Sequence, residues 1–346
     1  MSALVDRVIA GEVLEEAAAE ALMDALATTD LAPARVGAML LALRARGETV
    51  SEVVGFARSL RRHARVPAIA GAERAADTCG TGGDGAGSLN LSTAAALLAA
   101  ACGAPIVKHG NRSVSSRAGS ADVLEALGVV LPADEALAAT LFAETRFTFL
   151  FAPRHHPALA RVMPVRRALG VRTIFNLLGP LVSPMAPRFQ VAGAYDLAAA
   201  RTIAEALARL GVERALVIHG AGGWDEPTPL GPFVAIEVEG TRVTETVRDP
   251  LALGMARCTE APLRGGDAQT NARRMRAVLE GVERGAHRDA VVLGAALVLE
   301  VGGHVRDARE GVAVAREALD RGEGEHVLAQ VIETSRGAQR GEAAHV

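Results

Sequence analysis

The sequence predicts an α/β protein with a small helical domain at its amino end and a larger domain whose mainly parallel central sheet is covered by helices. Two observations carry this. Residues 2–65 show only helical periodicity, with apolar residues three and four apart, whereas from about Ala75 short apolar runs alternate with helical stretches. Half of the chain is apolar but only 3% is aromatic, so the core must be built from Ala, Leu and Val. Such a core suits packed helices and buried parallel strands better than an aromatic-rich sandwich. The length, 346 residues, allows about two domains.

Taken in order, LVDRVIAGEVLEEAAAEALMDAL, ARVGAMLLALRARG and SEVVGFARSLRRHA read as three helices. Thr49, followed three residues later by Glu52, forms a capping box for the third. Strands are expected at RAADTCG, APIVKHG, RFTFLFAP, RFQVAGAYD and RALVIHG, the last reaching His219. EVEGTRVTETV, Glu237 to Val247, reads as a hairpin turning at Glu239 and Gly240. Helices then run from Asp267 to about Arg336, and the tail GAQRGEAAHV, which lacks apolar period, is expected to fray. The expected division is 1–70 helical, joined by a helical segment near 165–185, then 71–336 α/β and 337–346 tail.

Net charge is −3, which gives no sign of a nucleic-acid or membrane partner. The amino end, MSALVDRVIAGEVLEEAAAE, is acidic and matches neither a secretory signal nor a transit peptide. The longest apolar runs are too short or interrupted to span a bilayer. Cys79, Cys102 and Cys258 form neither a zinc spacing nor an even disulfide set, which fits a reducing cytoplasm. Arg greatly outnumbers Lys, so the rare Lys108 stands out.

In α/β sheets ligands bind beyond the carboxyl ends of the strands, and four of the five loops there carry polar clusters. The first, DTCGTGGDGAGSLNLST from Asp77 to Thr93, places glycines and an aspartate ahead of an apolar helix. Glycines let backbone N–H groups converge, and the helix adds unpaired donors and a positive dipole end, so a polyanion is the natural occupant. The plainer reading is a glycine-rich turn with Asn90 or Ser92 as an ordinary N-cap, but the density of glycine and hydroxyl residues favours anion binding. No Walker A motif is present, because no GK[ST] follows the glycines.

The second cluster, KHGNRSVSSRAGSAD from Lys108 to Asp122, supplies Lys108, Arg112, Arg117 and the hydroxyls of Ser113, Ser115, Ser116 and Ser120, with Ser92 facing the same region if the strands are neighbours. Alone it reads as a solvated basic loop. Two anion-competent loops after two neighbouring strands point instead to one large phosphorylated ligand. The third cluster, Asp225 and Glu226 among glycines and prolines, would ordinarily be solvated acids; beside phosphate loops the pair suits Mg²⁺, which bridges carboxylate to phosphate. His155 and His156 lack further ligands at zinc spacing, so packing, hydrogen bonding or substrate contact is expected. In VRRALGVRTIFNLLGPL, an arginine held among apolar residues, from Arg166, Arg167 and Arg172, is suited to grip a carboxylate bidentately. Trp224 and Cys79 read as structural or incidental.

Taken together, GTGGDG with NLST, KHGNRSVSSRAGSADVLEALG, VRRALGVRTIFNLLGPL, the acid pair and GGDAQTNA at 265–272 resemble the anthranilate phosphoribosyltransferase family of tryptophan biosynthesis, from the first helices to about residue 336. The resemblance implies a cytoplasmic homodimer whose active site lies in a cleft between the two domains, with phosphoribosyl pyrophosphate and anthranilate as substrates and neither nucleic acid nor membrane as partner. It implies that Gly80, Gly83, Asp84, Ser88, Asn90, Leu91, Ser92, Thr93, Lys108, His109, Gly110, Asn111, Arg112, Ser113, Ser115, Ser116 and Ser120 hold phosphoribosyl pyrophosphate. It places Gly80, His109, Asn111, Arg166, His156 and Pro180 at or on the approach to anthranilate, and Ser92, Asp225 and Glu226 on Mg²⁺, with two ions accompanying the bound diphosphate. Lys108 and Arg166 would act electrostatically and by positioning.

The sequence departs from the family pattern at Ser88, at Val182 and Ser183 before Pro184, at Gly294, and in the proline-rich EPTPLGP after Asp225. The implied reaction is displacement of pyrophosphate from ribosyl C1 by the anthranilate amine. A pyrimidine-type nucleoside phosphorylase would share the architecture but need no carboxylate clamp, and a non-catalytic binding paralogue would not need the acid pair.

Overall fold

The computed structural model describes residues 2–29, 31–113 and 117–343. A seven-stranded sheet forms its centre: β1 (Ala76–Gly80), β2 (Ile106–Gly110), β3 (Phe147–Phe151), β4 (Phe189–Gly193), β5 (Arg214–His219), β6 (Phe233–Glu239) and β7 (Arg242–Arg248). Their spatial order is β3-β2-β1-β4-β5-β6-β7, parallel from β3 to β5 and antiparallel beyond. All five apolar runs therefore become parallel strands. The hairpin forms around Glu239 and Gly240, but its first strand starts at Phe233, because Phe233 and Ala235 reach the buried face of the sheet.

The chain winds from β1 outward to β3, then returns to the other side of β1 for β4 and β5. The strand order thus reverses between β1 and β4, and a crevice opens there at the carboxyl ends. One sheet face carries Ile106, Phe149, Val191, Leu216 and Ile218 against the helices Leu91–Ala101 and Ala286–Val301. The other carries Ala192, Ala215, Val217 and Ile236 against the helix Leu197–Arg209. The amino-terminal helices belong to this second core together with Val162, Val165, Leu178 and Leu181, so the segment near 165–185 packs with the bundle.

The bundle has four helices, Ser2–Ile9, Glu16–Thr28, Pro33–Arg46 and Val50–Arg62. The first expected helix is split in two because Gly11 turns at φ +89°, a conformation other residues rarely adopt. The capping box forms as expected: Thr49 Oγ1 accepts from Glu52 N–H at 3.4 Å, and Glu52 Oε2 accepts from Thr49 N–H at 3.0 Å. At the carboxyl end the expected fraying gives way to a helix, Glu323–Ala343. Val327, Leu328 and Val331 anchor its first half in the core, and extending a helix from a packed turn costs far less than starting one. Among the described residues no helix is long and apolar enough to cross a membrane.

Candidate active site

Beyond β1, β2 and β5 lies a cleft of about 360 Å³. The glycine loop leaves β1 at the switch point, with Gly82 and Gly83 at φ +64° and +74°. It curls around the acid pair. Gly82 N–H donates to Asp225 Oδ2 at 2.7 Å, and Ser92 N–H, in the first turn of the helix Leu91–Ala101, donates to Glu226 Oε1 at 3.1 Å. Part of the cradle therefore holds the protein's own carboxylates, which stand where the sequence reading placed a ligand anion.

Glycines at both strand ends make room for this pair. Gly80 and Gly193 face each other in register across β1 and β4. A Cβ on Gly80 would meet the Asp225 carboxylate, and one on Gly193 would overlap the Asp225 carbonyl. The packed Asp225 and Glu226 both have raised pKa values, chiefly through burial, with Asp84 adding repulsion to each. Buried carboxylates pushed toward protonation are suited to a cation that would ionise them. Among the described residues no group of three His, Cys, Asp or Glu side chains is arranged to hold an ion alone. A pair of carboxylates fits Mg²⁺ that completes its shell with phosphate and water.

Lys108 is 2% exposed, and its Nζ donates to the Thr78 carbonyl across the β1–β2 seam. Buried Asp77 lies near it and accepts the His109 N–H at 3.2 Å. Burial raises Asp77 to about 6 despite the lysine. His109 and His156 meet edge to face, with ring centroids 5.1 Å apart. Burial, first of all, holds His109 well below its ordinary value and lowers His156 to about 4, so both are neutral at pH 7 and serve as polar walls rather than charges. His155 points elsewhere, to the Arg65 carbonyl at 2.7 Å.

Part of the cleft wall is apolar: Leu60 from the bundle, with Leu159, Met163, Phe175, Leu178 and Val182. Arg166 lies here with its guanidinium 5.1 Å from the Phe175 ring centre and, among the described residues, pairs with no carboxylate. Arg172 is committed, stacked 4.2 Å over Tyr195 and donating to the Gly83 carbonyl. Arg167 does not line the cleft. Of the three arginines, Arg166 is the one left to receive a carboxylate.

The cleft gathers Gly80, Gly83, Asp84, Ser88, Asn90, Ser92, Thr93, Lys108, His109, Gly110, Asn111, Arg112, Ser113, Ser120, His156, Arg166, Asp225 and Glu226. Two expected residues stand apart: Leu91 is buried in the core beneath the loop, and Pro180 is buried with its carbonyl accepting from Gln190 Nε2 at 2.5 Å. Ser115 and Ser116 lie outside the described residues. Arg112 borders the cleft but forms ion pairs with Glu125 and Asp122. Asn90 is no ordinary N-cap: its side chain reaches the Ala118 carbonyl at 3.0 Å and makes no cap bond. Asn271 and Gly266 lie in the GGDAQTNA stretch that carries the resemblance but received no site role there, and the apolar wall was missed because buried apolar residues look the same in a wall as in a core. Gly294, a departure from the pattern, packs its helix onto Leu91–Ala101, where an added Cβ would lie 2.9 Å from the Ala95 Cβ.

A helical bundle joined to a mainly parallel sheet, with an acid pair and a glycine loop at the switch point, agrees with the two-domain glycosyl transferase family. Models of that class match the chain twice, the helical bundle domain at residues 2–64 and the a/b domain at residues 72–325. The chain is 46% identical over 332 residues to anthranilate phosphoribosyltransferase of Paramagnetospirillum magneticum, covering 96% of this chain and 95% of that one. The crystal structure of the Thermus thermophilus anthranilate phosphoribosyltransferase is similar with TM-score 0.90 at 43% identity, covering 96% of this chain and 99% of that one. A Saccharomyces cerevisiae anthranilate phosphoribosyltransferase in complex with PRPP and Mg shares the fold, with TM-score 0.84 at 23% identity over 94% of each chain. The chain belongs to the anthranilate phosphoribosyltransferase family.

Proposed function

We propose that the cleft performs the family's reaction with the residues assembled above: transfer of the phosphoribosyl group of phosphoribosyl pyrophosphate to the amine of anthranilate. The observation that carries the assignment is that one cleft brings together an acid pair, a glycine loop and an apolar wall with an arginine that, among the described residues, pairs with no carboxylate. The amine nitrogen attacks C1, the C1–O bond to pyrophosphate breaks with its electron pair leaving on the oxygen, and the nitrogen then sheds a proton to water. An aromatic amine is neutral at pH 7, so no strong base is needed.

Negative charge grows on the leaving diphosphate. Lys108 and the glycine-loop amides line the cleft and would meet that charge, and such preorganised donors supply the largest catalytic contribution in sites of this kind. Asp225, Glu226 and Ser92 would hold Mg²⁺, which supplies charge neutralisation on the diphosphate when bound. Two such ions are proposed, as the resemblance to the family implies, with Asp225 anchored by the Gly82 N–H and Glu226 by the Ser92 N–H. Arg166 clamps the anthranilate carboxylate, and Phe175, Met163 and Leu178 flank the ring.

The chain is proposed to act as a homodimer through the exposed apolar residues of its bundle, Ile9, Val13 and Leu41, and in the cytoplasm, where its three cysteines stay free. Light scattering in solution tests the dimer. The activity is tested by mixing protein, Mg²⁺, phosphoribosyl pyrophosphate and anthranilate and following loss of anthranilate fluorescence; no loss refutes it. Arg166→Ala is expected to raise the KM for anthranilate by about 100-fold, the worth of a charge-assisted bidentate pair, and leave that for phosphoribosyl pyrophosphate nearly unchanged. Equal effects on both substrates would reject the clamp.

A further inference from the structure

We infer that Asn271 is a positioning residue for the phosphate end of the cleft, fixing the orientation of the Asn90 amide and tying the loops after β1 and β2 to one another. The inference rests on the reading of Asn90 as a phosphoribosyl pyrophosphate contact.

Asn271 lies in the first turn of the helix Ala268–Leu279, is 1% exposed, and borders the cleft. A buried amide is costly unless its groups are paired. Its Oδ1 accepts the Gly266 N–H at 2.7 Å, and its Nδ2 donates to Asn90 Oδ1 at 3.0 Å. Asn90 Nδ2 in turn donates to the Ala118 carbonyl at 3.0 Å. The relay begins at a backbone N–H, which can only donate, and ends at a backbone carbonyl, which can only accept. Its direction is therefore fixed throughout, and neither amide can flip without setting two acceptors or two donors face to face.

The consequence falls on the ligand. Asn271 occupies one lone pair of the Asn90 oxygen and Ala118 takes one of its two N–H bonds, so the remaining N–H is held in place as the donor an oxygen-rich anion needs. The same segment braces the glycine loop a second time: Gly265 N–H donates to the Gly87 carbonyl at 2.7 Å, and Ser88 pairs with Arg264 as an isolated bridge. Three stretches distant in sequence, 87–90, 118 and 264–271, thus hold one another. A loop fixed in its bound shape loses less entropy when the ligand arrives.

Asn271→Asp is the decisive variant because it keeps the shape and the acceptor for Gly266 but turns the donor facing Asn90 into an acceptor. Binding of Mg²⁺ with phosphoribosyl pyrophosphate is measured by calorimetry, alongside kcat, both KM values and thermal unfolding, for wild type, Asn271→Asp and Asn271→Ala. An unsatisfied buried polar group corresponds to about tenfold or more in an equilibrium constant. Asn271→Asp is therefore expected to weaken phosphoribosyl pyrophosphate, in Kd and KM, by about tenfold, with the anthranilate KM within about twofold of wild type. A phosphoribosyl pyrophosphate affinity unchanged in Asn271→Asp, or both KM values rising together, or a lowered melting temperature with unchanged KM values, overturns the inference. Wild type that binds phosphoribosyl pyrophosphate without consuming anthranilate refutes the proposed reaction, while the binding data still judge the relay. Wild type that does not bind it overturns both.

Discussion

Gly193→Ala is the smallest change that should dislodge the acid pair. Gly193 ends β4 against the Asp225 backbone, and a Cβ there would overlap the Asp225 carbonyl oxygen, with the carbonyl carbon only 2.7 Å and the Cα 3.4 Å away. Restoring ordinary contact requires the Asp225 carbonyl to retreat by roughly 2 Å, since nonbonded atoms settle at about 3.5 Å. The loop has little slack: Gly220 N–H donates to the Trp224 carbonyl at 2.8 Å, and Trp224 is buried in the core. Any shift also breaks the 2.7 Å bond from Gly82. Misplacing a reacting group by about 1 Å costs on the order of 100-fold in rate, and overpacking costs about 1–3 kcal/mol in stability. We therefore expect Gly193→Ala to lose about 100-fold in kcat, need more Mg²⁺ for half-maximal rate, and melt lower. The assay is anthranilate fluorescence across a Mg²⁺ titration, with urea unfolding in parallel. A kcat within about threefold of wild type at an unchanged Mg²⁺ requirement would refute the placement of Asp225 as the reason for this glycine.

Two further outcomes concern stability. Asp77 has a folded pKa of about 6 against an ordinary value of 3.8, so between those values the folded protein keeps a proton that the unfolded chain has lost, and stability falls as pH rises through that window and levels off above it. The contribution is about 3 kcal/mol, and Asp77→Asn, a mimic of the protonated form, should remove that part of the slope in urea melts between pH 4 and 7; an unchanged slope counts against it. Glu52 is fully buried in the bundle and accepts from Leu14 N–H at 3.1 Å, Thr49 N–H at 3.0 Å and the Arg46 guanidinium at 2.5 Å. Glu52→Ala leaves these donors unpaired and should cost about 3–5 kcal/mol in denaturant unfolding, with little effect on kcat well below the melting point; a loss below about 1 kcal/mol would contradict that.

The parallel strands were legible because each is a short apolar run bounded by turn residues, and the cleft because polar clusters follow the strand ends. What escaped was set by apposition in space. Gly193 is an unremarkable strand glycine until β4 is seen beside β1 with Asp225 folded over both. Asn271 reaches Asn90 across 181 residues of sequence, and nothing local in either marks the pairing. Leu91 and Pro180 sit inside site-bearing segments, yet chain direction turns them into the core. Propensity also misled at the chain ends: Gly11 broke a periodic pattern that looked continuous, and a packed helix carried an unpatterned tail.

Lys108 is the only lysine in the chain and is 2% exposed within β2. Every other basic side chain is a guanidinium or an imidazole, so apart from the terminal amine no primary amine is offered to solvent. A lysine-specific protease then has a single bond to cut, Lys108–His109, lodged in an interior strand of the sheet. Cleavage into two fragments would report the opening of the sheet itself, and protection of that bond by the substrates would measure how firmly they hold it closed.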